Sequence, residues 1–185
     1  VSQRMPITVL ESVVSSAERR ALLLEEDRAV PRVSDIYGAL PAITGKMELE
    51  YEGELHGSDR IARELISAAA SGVYQDRAGG SDVEEIIEYF EQGGALQVGS
   101  DSAAETCVQG FEIVPGLLGL VQAVGLAPKS CSDGVRAGAC ELVLEALAAE
   151  RKISRSVTGS YVKARHETPP GQGYKGFDPF GGVSP

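Results

Sequence analysis

Apolar residues recur at helical spacing over most of the chain. Leu10, Val13, Val14, Ala17, Ala21 and Leu24 follow Pro6, a residue favoured in a first helical turn, and predict an amphipathic helix over residues 6–25. The charged turn Glu25-Glu26-Asp27-Arg28 and Pro31 separate it from a second helix, capped by Ser34, running to Leu40, kinked at Pro41 and stopped at Gly45. Met47, Leu49 and Tyr51 alternate with Glu48, Glu50 and Glu52 at the period of a half-buried strand. No second strand pattern lies near it, so an extended segment or a helix terminus serves equally well. Gly53 to Gly57 reads as a linker.

Beyond the linker, Ile61, Leu65, Ile66, Ala69 and Val73 predict a helix capped by Ser58. Ser81-Asp82-Val83-Glu84 has the spacing of a capping box and opens a helix with Ile86, Ile87 and Phe90 that stops at Gly93-Gly94. Two short helices, Ser102 to Glu112 and Pro115 to Val124, precede a last one from Ser132 or Asp133 through Arg151, with Val135, Ala139, Leu142, Val143, Ala146 and Leu147 inward. The expected fold class is mainly α. From about residue 156 the periodicity dissolves. Pro169-Pro170-Gly171-Gln172-Gly173 and Gly181-Gly182 are too poor in aliphatic residues to offset ordering entropy, so the expectation for 156–185 is a disordered, basic, Gly/Pro-rich tail.

Composition narrows the function. With 185 residues, 43% of them hydrophobic, the chain holds one ordinary domain or two small ones. The formal charge of −10 argues against a protein built chiefly to wrap phosphate backbones. That charge is unevenly spread: residues 151–185 carry +4 and the rest −14. Lys152, Arg155, Lys163 and Arg165 with Tyr161 could bind RNA or an acidic partner, but a solvated tail that keeps the chain soluble is the favoured reading, so nucleic acid is not an expected partner. Cys107, Cys131 and Cys140 form no CxxC pair, and only His56 and His166 could join them, a poor basis for structural zinc. Three thiols without a signal-like start fit a reducing, cytoplasmic setting. Val114 to Leu126, the most apolar stretch, is broken by Pro115 and glycines and is shorter than the roughly 20 residues of a spanning helix. The chain opens on Val1 with a helical pattern close behind, which reads as a piece of a longer chain or as a valine-coded start.

Familiar catalytic constellations are missing from the sequence. Ile43-Thr44-Gly45-Lys46-Met47 has a Gly-Lys pair but neither the upstream glycine nor the following Ser/Thr of a phosphate loop, and reads as a helix end. There is no GxSxG elbow and no HExxH. Glu84-Glu85, Glu25-Glu26-Asp27 and Glu48/Glu50/Glu52 are expected on solvent faces, where carboxylates are common. Cys140 sits on the inward side of its helix and reads as a small apolar residue.

The first fifty residues resemble a known family. Ser2-Gln3-Arg4-Met5-Pro6-Ile7, the helix with Glu18-Arg19-Arg20-Ala21, and Asp27-Arg28-Ala29-Val30-Pro31-Arg32-Val33-Ser34-Asp35-Ile36 look like the helical lid of AAA+ ATPases of the magnesium-chelatase subunit I and MoxR-type clade. Leu40-Pro41-Ala42-Ile43-Thr44-Gly45-Lys46, Tyr51-Glu52-Gly53-Glu54, Val114-Pro115-Gly116-Leu117 and the stretch from Ala148 to Ser156 are similar to the carboxyl-terminal extension of those ATPases. The resemblance implies a lid-like segment at 1–51, a helical extension at 52–155 and a tail at 156–185. It places Arg4 at the sensor-2 position, where a guanidinium fork reaches the γ-phosphate of ATP. Arg19 or Arg20 could face a neighbouring subunit. It further implies a homo-oligomeric ring, ATP with Mg2+ bound only when a complete AAA+ core is present, and a von Willebrand factor A-type partner. The phosphate loop, the acidic metal-binding strand and the arginine finger have no counterpart here, so no ATP hydrolysis is expected of the isolated chain. The competing expectation is a free-standing helical interaction module that never contacts nucleotide.

Overall fold

The computed structural model describes residues 4–47 and 57–164. Eight helices carry the described chain: α1 Met5–Leu23, α2 Val33–Gly38, α3 Leu40–Thr44, α4 Ser58–Ala78, α5 Glu84–Glu91, α6 Ala104–Glu112, α7 Leu117–Ala123 and α8 Asp133–Ala149. The mainly α expectation is met. A small sheet joins them, made of β1 Leu96–Gln97, β2 Ile153–Arg155 and β3 Ser160–Lys163 in the order β1-β3-β2, all antiparallel.

Helix α8 forms the centre. It buries residues around much of its circumference, including Ala137, Cys140, Val143, Leu144 and Leu147. Against it lies α4, whose buried residues Ala62, Ile66, Ala70, Tyr74 and Ala78 are spaced by four, a single ridge of mostly small side chains that permits close approach. Phe90 of α5, Phe111 of α6 and Leu117 and Val121 of α7 complete the main core. A smaller cluster, Leu40 and Ile43 of α3 with Ala62 and Ile66, is flanked by Met5 and Val9 of α1.

The structure corrects several sequence expectations. Residues 156–164 are not a disordered tail: they complete the β2–β3 hairpin. Ile153 and Tyr161 are almost fully buried, and Tyr161 pairs across the sheet with Leu96. Two long-range anchors replace the missing periodicity, and Gly159, at φ 84°, makes the turn at a conformation that other residues rarely adopt. β1 was likewise absent from the sequence pattern. The helix expected over 34–40 divides into α2 and α3 at Ala39, ahead of Pro41. Ser34 does not cap α2; the Asp35 carboxylate accepts the Arg32 N–H at 2.8 Å and Glu141 accepts the Ser34 N–H at 2.8 Å. At α5 it is Asp82, not Ser81, that accepts the Glu84 N–H, at 3.0 Å. The alternating segment 48–52, nearly all of the linker and residues 165–185 lie outside the described residues.

Helix α1 departs from expectation in its facing. It buries Val13, Ala17, Arg20 and Ala21 but leaves Leu10 64% exposed and Val14 on the surface.

Candidate functional site

Arg4 stands exposed at the start of α1, where its carbonyl accepts the Thr8 N–H at 3.1 Å and the Thr8 hydroxyl at 3.2 Å. Next to it α1 carries an apolar flank. Ile7, Leu10, Val14 and Leu22 fall within one side of the helix at 100° per residue, and Ile7 and Leu22 are 61% and 82% exposed. Leu23 is exposed as well. Of the two arginines considered for a subunit contact, Arg19 is exposed and lies 3.7 Å from Asp101, a pair worth little in solvent. Arg20 is turned inside.

The interior holds a chain of charged side chains that the sequence reading missed. Glu141 and Glu145, four apart on α8, are both 1% exposed. Opposite them stand Asp35 and Tyr37 of α2 and Arg32, the residue before it. Asp35 accepts hydrogen bonds from Arg20 Nη1 at 2.5 Å and from the Ser16 hydroxyl at 2.9 Å. Arg20 also donates to the Val30 carbonyl at 2.7 Å. Arg32 donates to the Ser102 carbonyl at 2.9 Å, meets Cys107 Sγ at 2.9 Å, and holds Nε 3.5 Å from Glu141. Glu145 accepts from the Tyr37 hydroxyl at 2.6 Å, the Ser67 hydroxyl at 2.7 Å and the Tyr161 hydroxyl at 3.3 Å. Arg155 Nε lies 3.1 Å from the same carboxylate, and the guanidinium stacks 3.8 Å from the Tyr37 ring centre.

Local sequence explains how α2 reaches α8 so closely. Gly134 and Gly138 lie one turn apart on α8 beneath Val30 and Pro31: a Cβ on Gly134 would come within 2.8 Å of Val30 Cγ2, and one on Gly138 within 3.2 Å of the Pro31 carbonyl. Larger residues would push Arg32 away from Glu141.

Burial dominates the electrostatics. It raises the Glu141 carboxyl above its ordinary range, with Arg32 and the Ser34 hydrogen bonds pulling the other way. Burial, helped by Glu145, pushes the Tyr37 hydroxyl up to about 12, and Tyr161 is raised well above its usual value for the same reasons. Cys107 is raised by burial although Arg32 opposes it, and Cys140 reaches about 12 through burial and the nearby Glu141. These two thiols are therefore protonated and unreactive near neutral pH. These buried side chains tie α1, α2, α6, α8 and the β2–β3 hairpin to one another.

Other sequence candidates resolve simply. Gly45 ends α3 as expected, its N–H donated to the Pro41 carbonyl at 3.0 Å. Glu26 is not a free surface acid; its Oε1 accepts the Ala104 N–H at 2.7 Å and so caps α6 from a distant loop. A groove of about 560 Å³ opens there, between the α1–α2 loop and the starts of α6 and α8, lined by Glu25, Asp27, Arg28, Cys131 and Asp133 among others. Among the described residues no group of three or more His, Cys, Asp or Glu could hold a metal ion. No single described helix is long and apolar enough to cross a membrane. Both histidines lie outside the described residues. A signal for the buried acids did exist: Glu141 and Glu145 interrupt the apolar run of α8 at a spacing of four, on one face.

Compared with family models, curated proteins and solved structures, the chain finds no match in any of the three.

Proposed function

We propose that this chain is the lid and carboxyl-terminal extension of a magnesium-chelatase-like AAA+ ATPase, coupling ATP hydrolysis in a ring to metal insertion or protein remodelling. The observation that carries the reading is the apolar flank of α1, Ile7 and Leu10 with the partly covered Val14, open to solvent beside the exposed Arg4. A lid helix needs this pairing: an apolar side to seat on a nucleotide-binding core and a guanidinium at its edge to meet phosphate. In that setting Arg4 reads the γ-phosphate of ATP, Mg2+ is bound with the nucleotide by the core, and a von Willebrand factor A-type protein receives the motion. The isolated chain hydrolyses nothing, because the residues that would grip phosphate and position water belong to the core.

A second reading, a helical interaction module without nucleotide contact, is favoured by Leu22 and Leu23. They are exposed at the end of α1 remote from Arg4 and offer an apolar surface that no phosphate would approach.

Adding the chain to a separately prepared magnesium-chelatase-type AAA+ core separates the two. The ATPase reading expects turnover to appear on mixing and to fall about 100-fold with Arg4→Ala, the scale of losing one charged donor to a transition state. Binding to the core with no turnover would favour the module. Turnover indifferent to Arg4→Ala would remove the sensor role. An in-frame upstream sequence encoding GxxxxGKS/T would support the first reading independently.

A further inference from the structure

Helix α2 has only six residues, yet its side chains and the residue before it reach α1, α4, α6, α8 and the β2–β3 hairpin. Asp35 grips α1 through Ser16 and Arg20. The second oxygen of that carboxylate accepts the Arg32 N–H, fixing the backbone from which the Arg32 side chain departs. Arg32 then spans to the Ser102 carbonyl at the start of α6, to Cys107 within it and to Glu141 on α8. Tyr37, on the last turn, bonds Glu145 and lies under Arg155, so that one carboxylate joins α2 to both strands of the β2–β3 hairpin through Arg155 and Tyr161.

A second feature accompanies this linkage. The Nε atoms of Arg20, Arg32 and Arg155 are buried and make no hydrogen bond. Each nevertheless faces a carboxylate, at 4.0 Å from Glu26, 3.5 Å from Glu141 and 3.1 Å from Glu145. An unsatisfied charged donor inside a protein is costly, so a small shift that completes one pairing is strongly favoured and disturbs the next member of the chain.

We propose that α2 is a coupling clasp, through which a displacement of α1 is passed by Asp35, Arg32 and Tyr37 to the β2–β3 hairpin. The clasp does not depend on what moves α1, a nucleotide-bound core or any other partner on its apolar flank. Its output is the hairpin, whose turn carries Val157 in solvent.

The test uses the full chain and amide hydrogen exchange, read segment by segment. Ser16→Ala removes one α1 donor to Asp35, and Asp35→Asn keeps the shape while removing the charge; neither residue has a hydrogen bond to the hairpin. The clasp expects both variants to speed exchange at 153–155 and 160–163 at least 3-fold, with α7, which packs on α6 and α8 rather than on the hairpin, unchanged. Ser12→Ala, whose hydroxyl serves only the Thr8 carbonyl, should leave the hairpin as it was. Hairpin protection unchanged in both Ser16→Ala and Asp35→Asn would overturn the proposal. An equal rise across every helix would also overturn it, since that reports general loss of stability rather than a route.

Discussion

The two ends of this protein are held by different forces. Around α5, α6 and α7, and where α8 packs on α6 and α7, the contacts are apolar and dense: Phe90, Phe111, Leu117, Val121 and Leu144 are completely buried. Around α1 and α2 the apolar cluster is small, and directional charged contacts from Arg20, Asp35 and Arg32 fix the helices, while the outer side of α1 stays uncovered. Apolar packing is insensitive to small rotations of a partner but intolerant of lost volume; hydrogen-bonded ion pairs tolerate little rotation and are sensitive to charge. The first end is therefore a scaffold, and the second is an attachment whose angle is set by a few polar side chains.

This contrast is open to measurement. The largest effect belongs to the scaffold. Phe111→Ala should cost about 3–5 kcal/mol in denaturant unfolding, the range for deleting a buried aromatic side chain, and a loss below 1 kcal/mol would break the division. A smaller and pH-dependent effect belongs to the charged end. Burial raises the Glu141 carboxyl in the folded state, so the folded protein holds that proton more tightly than the unfolded chain. Its stabilising contribution is complete below the ordinary carboxylate range and is lost as pH rises through the raised value. Measured side by side, Glu141→Gln should therefore gain on the wild type as pH rises through that window, by no more than about 1.4 kcal/mol per pH unit. A constant difference would show that Arg32 fully compensates the buried charge. The smallest effect is expected outside. Leu10→Gln on the open flank should change stability by less than about 0.5 kcal/mol, and a larger loss would mean that this side is packed.

Where the chain is periodic, its sequence was legible. The α1 and α8 patterns place helices close to their observed limits because a repeat of 3.6 is a local property of the chain. The hairpin was not legible: Ser156 to Ser160 has no alternation long enough to register, and only docking of Ile153 and Tyr161 on the core makes strands there. Helix starts were assigned to the right places but to the wrong caps. Ser34 and Ser81 are good local acceptors, yet Glu141 and Asp82 supply the bonds, and Glu26 caps α6 from a loop far away in the chain. A cap drawn from a distant segment leaves no local mark.

The facing of each helix shows the same limit. Leu10 and Val14 read as core residues because they share a side with Val13 and Ala17, but near the start of α1 no neighbour covers that side. In the opposite sense, Glu141, Glu145 and Arg32 are of residue types whose charge normally stays in water. They are inside because each brings a partner from another element, and no single segment contains both halves of such a pair.

The sequence alone determined the helices, their turns and the acidic balance of the protein, all of which follow from residue type and local spacing. Only the tertiary structure decided which carboxylates are buried, which apolar side is left open and how the last strands are ordered. Those outcomes depend on which surfaces meet, and the free energy of burying a charge or a leucine is defined only once its neighbours are in place.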